Sequence, residues 1–196
     1  MSPSFEEIQK LFSRRSQSEV GTPTESVGAD YDSFYENTFG TVGVKTGSDD
    51  PSLAIIEITP YRVESRYSDK RHPQEIKFVS KLEDDLSRRD FTVNAVAMDI
   101  KGEVTDLFDG QKDIKAKVIR TVGKPEDRLS EDALRLLRAV RFATVLGFKI
   151  EEKTLKAVKE NAEWLRAISK ERIREEFLKI IESDNAYAGV LLLEET

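Results

Sequence analysis

The chain has no cysteine and a single histidine, His72, among its 196 residues. A disulfide framework, a thiolate metal site and a cysteine nucleophile are therefore excluded, and one imidazole makes zinc sites and Ser-His-Asp hydrolysis poor candidates. Long apolar runs are also absent. The longest, such as Leu53–Ile56 and Val190–Leu193, fall far short of the roughly 20 residues that cross a bilayer, and no basic-then-apolar signal pattern opens the chain. These absences point to a soluble cytoplasmic protein without a membrane partner. The length suffices for one good core or two small ones, at roughly 100–200 residues per domain.

Charge is plentiful but unevenly placed. The net charge is −6, yet residues 1–110 carry 13 basic and 21 acidic side chains while residues 111–196 carry 18 and 16. Phosphate affinity follows the local field rather than the total, so the second half is the better place to look for nucleic-acid contacts.

Phe5, Ile8, Leu11 and Phe12 recur at helical spacing behind Ser4, which predicts a short amphipathic helix. From Ser13 to Ser52 the chain is rich in Ser, Thr, Gly and Asp, with one strand-like run at Thr38–Val44. Leu53–Thr59 is a strong β run containing one charge, Glu57, and the pairs Arg66-Tyr67 and Lys70-Arg71 mark an exposed loop. Ser80-Lys81-Leu82-Glu83 has capping-box spacing and predicts a helix through about Ser87. Asp90–Ile100 and Glu103–Phe108 read as two strands joined through Lys101-Gly102, the length of a two-residue hairpin turn. Beyond Gln111 the pattern is helical: Ser130 capping a helix from Glu131 to about Leu146, Gly147 ending it, a second helix over Glu151–Ala167, and a third from Ser169 to about Glu182. The expected architecture is α+β, with an all-helical second half beginning near Gln111–Lys124.

The chemistry concentrates in two places. Asp132, Arg135, Arg138 and Arg141 are spaced by three, so on a helix they form one slowly winding line. An amphipathic solvent face would also show such a stripe. Three guanidiniums with no lysine, however, suit bidentate recognition of phosphates or base edges, and an Asp beside an Arg offers an acceptor and a donor fork. Arg88-Arg89-Asp90-Phe91-Thr92-Val93-Asn94-Ala95 places two arginines, a carboxylate and an amide where a helix gives way to a strand. Glu57 inside its apolar run is either a solvent-facing residue or an oxygen ligand for a hard divalent cation.

Four ordered stretches carry a resemblance: Arg88–Ala95; Asp106-Leu107-Phe108-Asp109-Gly110 with Asp113-Ile114 and Ile119-Arg120; Glu131–Phe142; and Ser169-Lys170-Glu171-Arg172-Ile173. Their order resembles that of class II tRNA nucleotidyltransferases, the family of bacterial and eukaryotic CCA-adding enzymes and bacterial poly(A) polymerases. Tyr67-Ser68-Asp69 with Arg71-His72-Pro73 is similar to the loop before the second motif in that family. The resemblance implies an incomplete polymerase β-like palm over 1–110, a helical neck with a nucleobase-reading helix over 111–168, and the start of a helical body at 169–196. It further implies template-independent addition of CMP and AMP from CTP and ATP to the 3′ end of tRNA, with Mg²⁺. By similarity, Asp132 and Arg135 read the incoming base, Arg138 and Arg141 contact the nucleotide, and Arg89, Asp90 and Asn94 position its ribose and phosphates. Glu57 matches the family's third catalytic carboxylate and would be a metal ligand.

The family's Gly-Gly helix entry and the Asp-x-Asp strand whose two carboxylates hold its catalytic metals do not occur; Asp30-Tyr31-Asp32 has the spacing but lies in a polar, Ser- and Gly-rich stretch. The expectation is therefore a chain that is inactive alone, either a fragment or one half of an enzyme whose other part a second chain supplies. Poly(A) polymerase and a non-catalytic RNA- or nucleotide-binding subunit are the competing readings.

Overall fold

The computed structural model describes residues 33–35, 41–67 and 73–196, and the side chains of 41–63 and 77–196. The expected helix at Phe5–Phe12, the Asp30-Tyr31-Asp32 stretch and residues 68–72 lie outside them. The chain forms two compact units, residues 1–62 with 78–81, and residues 63–77 with 82–196.

In the first unit β1 (Ser33–Tyr35), β2 (Val42–Lys45) and β3 (Ile55–Ile58) form an antiparallel sheet in the order β1-β2-β3. Val42 pairs with Ile58 and Gly43 with Glu57. Val42 and Val44 are buried with Ile58 packed against them, so the β-branched residues of alternating positions make one small apolar face.

Two further strands, β4 (Arg62–Tyr67) and β5 (Pro73–Phe78), pair with each other where a loop alone was expected. Their polar sequences, Arg-Val-Glu-Ser-Arg-Tyr and Pro-Gln-Glu-Ile-Lys-Phe, lack the apolar alternation that marks a strand.

In the second unit α1 (Leu82–Ser87) appears as expected. The strand expected over Asp90–Ile100 does not. Residues Thr92–Asn94 form a 3₁₀ turn and only Val96–Met98 is a strand, β6, paired with β7 (Val104–Asp106). The turn wins because its donors close locally: Asn94 N–H donates to the Phe91 carbonyl at 2.9 Å and Ala95 N–H to that of Thr92 at 3.0 Å. The β6–β7 connection is a three-residue loop rather than two. Asp99 N–H donates to Glu103 O at 3.0 Å, Gly102 N–H to Asp99 O at 3.0 Å, and Gly102 has φ +84°.

The stretch after Asp109, read as a boundary, is itself structured: α2 (Gly110–Ala116) leads into β8 (Val118–Ile119), which pairs in parallel with β9 (Lys149–Ile150). The second half is therefore not purely helical. The single helix expected from Glu131 is two, α3 (Pro125–Glu131) and α4 (Leu134–Leu146), the latter ended by Gly147 at φ +64°. α5 (Glu152–Glu160) is capped by the Glu151 carboxylate and gives way at Asn161 to a 3₁₀ turn over Ala162–Ala167. α6 (Lys170–Ile181) follows Ser169, and α7 (Ala186–Glu195) closes the described fold.

No break in packing falls at residue 110. Phe91 shares one core with Ile119, Leu129, Leu136, Ala139, Ala157 and Ile168, and an adjoining cluster joins Leu137 and Val140 to Ile180. α4 lies at the centre, packed on α6 and α7. Its apolar face is buried by those helices, and its polar edge faces the segment that follows α1.

Candidate functional site

Arg128 of α3 and Arg135 and Arg138 of α4 reach the Ser87–Asp90 segment, with Arg141 of α4, Arg172 and Glu176 of α6 and Glu131 of α3 paired beside them. Asp90 is buried and accepts three hydrogen bonds: from its neighbour Phe91 N–H at 2.8 Å, from Asn94 Nδ2 at 3.0 Å, and from Arg138 Nε at 2.8 Å. Burial by itself would raise its pKa, but the Arg138 charge and these donors outweigh it and hold the carboxyl below the ordinary carboxylate range. Asp90, Asn94 and Arg138 thus form a single hydrogen-bonded unit. Arg89 is beside it, with a half-exposed side chain, and shares the Asp85 carboxylate with Arg88, at 3.2 and 2.7 Å.

Asp132 is not on the helix. It sits between α3 and α4 in extended backbone (φ −139°, ψ 109°), and its Oδ1 accepts the Leu134 N–H at 3.0 Å, as an N-cap does. An Asp that can cap the following turn competes with continuation of the preceding one, and this breaks the helix that the spacing suggested. Ser130, expected as the cap, instead lies in α3 and donates to the Asp127 carbonyl at 2.8 Å. The other face of the Asp132 carboxylate takes the Arg172 guanidinium of α6, at 2.7 and 3.4 Å.

Arg135 is 9% exposed. It is clamped by the Glu131 carboxylate and donates to the carbonyls of Arg128 at 2.8 Å and Arg88 at 3.3 Å. Arg128 reinforces this, donating to the Ser87 carbonyl at 2.7 Å and pairing with Glu131 at 2.7 Å. Two cations thereby meet the carbonyl end of α1, the favourable sense of its dipole.

Arg141 lies with its guanidinium over the Phe142 ring, 3.9 Å from the centroid, and Arg138 approaches the same ring at 5.2 Å. Its Nε faces Glu176 Oε2 at 2.6 Å. Burial pulls the Arg141 pKa down, with Glu176 opposing the shift and Arg138 adding to it.

The Asp106–Gly110 motif proves to be a support. The Asp106 carboxylate accepts the N–H groups of Gly110 at 2.8 Å and Gln111 at 2.9 Å, capping α2; those donors outweigh its slight desolvation and lower its pKa. Asp113, one turn on, accepts from the Thr92 hydroxyl at 2.5 Å and Arg120 Nε at 2.9 Å, and Arg120 also reaches the Phe108 carbonyl at 2.8 Å. Gly110 packs so close to the Thr92 carbonyl that a Cβ would overlap it. This clamp fixes the 3₁₀ turn that presents Asp90 and Asn94.

Sequence reading alone did not assign Asp85, Arg128, Glu131, Arg172 and Glu176. Asp85, Arg128 and Glu131 had local signals, their i, i+3 and i, i+4 relations to Arg88, Arg89, Arg135 and one another; Arg172 and Glu176 meet Asp132, Arg138 and Arg141 only through the fold. Glu57 lies in the first unit, exposed on β3. Among the described residues no three acidic or histidine side chains converge to hold a metal, so Glu57 does not form a cation site by itself.

Residues 6–120 match the poly(A) polymerase head domain, and the chain belongs to that family, the class II tRNA nucleotidyltransferases. Residues 147–196 match the probable RNA and SrmB-binding site of polymerase A. Similar proteins include the CCA-adding enzyme of Lactobacillus helveticus, 53% identical over 141 residues, or 72% of this chain and 34% of that one. That of Bacillus subtilis is 40% identical over 181 residues, 89% of this chain and 44% of that one. Among solved structures, the Bacillus stearothermophilus CCA-adding enzyme in complex with CTP matches with a TM-score of 0.70 at 40% identity, over 80% of this chain and 36% of that one. The Thermotoga maritima CCA-adding enzyme complexed with tRNA matches at 0.64 and 26%, over 84% and 36%. The chain thus spans less than half the length of the curated relatives it matches.

Proposed function

We propose that this chain is the nucleotide-selecting part of a CCA-adding tRNA nucleotidyltransferase, with residues 1–110 as a partial palm, 111–168 as neck and 169–196 as the start of the body. The observation that carries the reading is the Asp132/Arg135 pair. Both side chains are held rigidly, by Arg172 and by Glu131 with two backbone carbonyls, at the mouth of α4. An acceptor and a donor fixed side by side can match the edges of cytosine and adenine without a nucleic-acid template. Arg138 and Arg141 would engage the nucleotide, and Arg89, Asp90 and Asn94 would position its ribose and phosphates. The work of these residues is binding and orientation. Relatives named as CCA-adding enzymes favour CCA addition over poly(A) synthesis.

Mg²⁺ enters as the cofactor of the family's chemistry, with Glu57 as one oxygen ligand. Among the described residues no complete metal site is present. A cytoplasmic location would suit the proposed substrates; among the described residues no helix is long and apolar enough to cross a membrane.

The test is equilibrium binding of all four nucleoside triphosphates by the chain, with labelled CTP and ATP incorporation into tRNA lacking CCA measured alongside. Saturable binding of CTP and ATP in preference to GTP and UTP is expected, with the preference lost in Asp132→Ala and Arg135→Ala. Binding without that preference would overturn the reading. Long runs of AMP alone would replace it by poly(A) synthesis, and CCA addition only when a second chain is supplied would establish a split enzyme.

A further inference from the structure

Glu176 of α6 is 4% exposed. Three cations surround its carboxylate: Arg141 Nε at 2.6 Å, Lys179 Nζ at 3.5 Å and Arg138 Nη1 at 3.9 Å. The Arg141 contact is close but out of line, since neither Arg141 Nε nor Glu176 Oε2 has an aligned hydrogen-bond partner. Arg138 spends its Nε and Nη2 on Asp90. Arg141 differs: only its Nε is turned to a carboxylate, its guanidinium carbon lies over the Phe142 ring, and among the described residues neither Nη group has a hydrogen-bond partner.

A guanidinium with its Nε against a carboxylate charge and its carbon over an aromatic ring, with the Nη fork left over, is prepared for a bidentate oxyanion. Locally, Arg138, Arg141 and Lys179 stand against Asp90 and Glu176, an excess of one positive charge. From these observations we infer that Glu176 is a positioning residue, which keeps Arg141 aimed so that its Nη fork takes the phosphate oxygens of the incoming nucleotide. The inference rests on the nucleotide-binding reading above and adds to it a phosphate subsite and the residue that shapes it.

Charge and geometry make opposite forecasts for removing this carboxylate. If Glu176 only neutralised its neighbours, Glu176→Gln would raise the local positive charge and tighten binding of any polyphosphate. If it aims Arg141, the same change frees the guanidinium and weakens binding. The experiment is calorimetric titration of the chain with CTP, cytidine and inorganic tripolyphosphate, for wild type, Glu176→Gln, Arg141→Ala and the double variant. The expected result is about tenfold or greater weakening of CTP and tripolyphosphate by Glu176→Gln, an unchanged affinity for cytidine, and no added loss when Arg141 is already alanine.

Equal or tighter CTP binding by Glu176→Gln, an equal loss for cytidine, or the same penalty in the Arg141→Ala background would each overturn it. Should Glu176→Gln fail to fold, Arg141→Lys keeps the charge beside Glu176 but removes the fork. Unchanged CTP affinity in that variant would equally overturn the inference. Wild-type binding of tripolyphosphate with no preference among nucleotides would leave the phosphate subsite standing while the template reading failed. Absence of binding to both ligands would remove both.

Discussion

At the scale of single residues the site is a set of paired charges, guanidiniums against carboxylates. Asp90 is the best placed to show this in solution. Its folded pKa is depressed, so its contribution to stability is complete above its ordinary value of about 3.9 and is lost as pH falls through the lower folded value. Wild type should therefore lose stability steeply below about pH 4. Asp90→Asn should begin about 1–3 kcal/mol less stable at pH 7 and respond less to acid, as read from urea midpoints at pH 7 and pH 3. A second case is Arg172. Arg172→Ala leaves the Asp132 carboxylate with the Leu134 N–H alone, and a stability loss of about 1–3 kcal/mol is expected. The accompanying blurring of CTP and ATP preference, seen in competition with GTP and UTP, would show that orientation and not mere presence of Asp132 selects the base.

At the scale of elements, the arginine spacing was legible because a helix of period 3.6 fixes which residues share a line. The break before α4 was not. Asp132 is an acceptable helical residue in isolation, and its choice of extended backbone depends on the Arg172 partner 40 positions away as well as on its local capping bond. The 3₁₀ turn at Thr92–Asn94 was misread as strand for a related reason: its sequence, rich in β-branched residues, favours β structure, while the Asp113–Thr92 bond and the turn's own donors fix it otherwise.

Two glycines test the helices directly. A Cβ at Gly189 of α7 would stand 2.6 Å from the Ile180 and Thr144 methyls. Gly189→Ala should cost about 1–3 kcal/mol through overpacking of α7 on α4 and α6, detectable as a lowered thermal midpoint. Gly147, with φ +64°, donates to the Thr144 carbonyl at the end of α4. Gly147→Ala should cost about 1–2 kcal/mol through left-handed strain without altering nucleotide binding.

At the scale of the whole molecule, the larger core is built around α4, and fully buried Leu136 lies in it. Leu136→Ala should cost about 2–5 kcal/mol, measured by urea denaturation, which would leave a chain of this size close to unfolded at 37 °C. The sequence by itself determined the absence of thiol chemistry, the amphipathic helices of the second half, the strands at Val42–Lys45 and Ile55–Ile58, and the arginine-rich motif order that gives the family. These depend on composition, on local periodicity or on residue order, each of which is written along the chain. Only the tertiary structure decided that Asp132 leaves the helix, that Arg172 and Glu176 of α6 hold the residues of the α4 line, and that the Asp106–Gly110 motif is a clamp under the 3₁₀ turn. Those outcomes turn on hydrogen bonds and ion pairs between segments distant in sequence, whose strength depends on burial and alignment, and neither exists until the helices have packed.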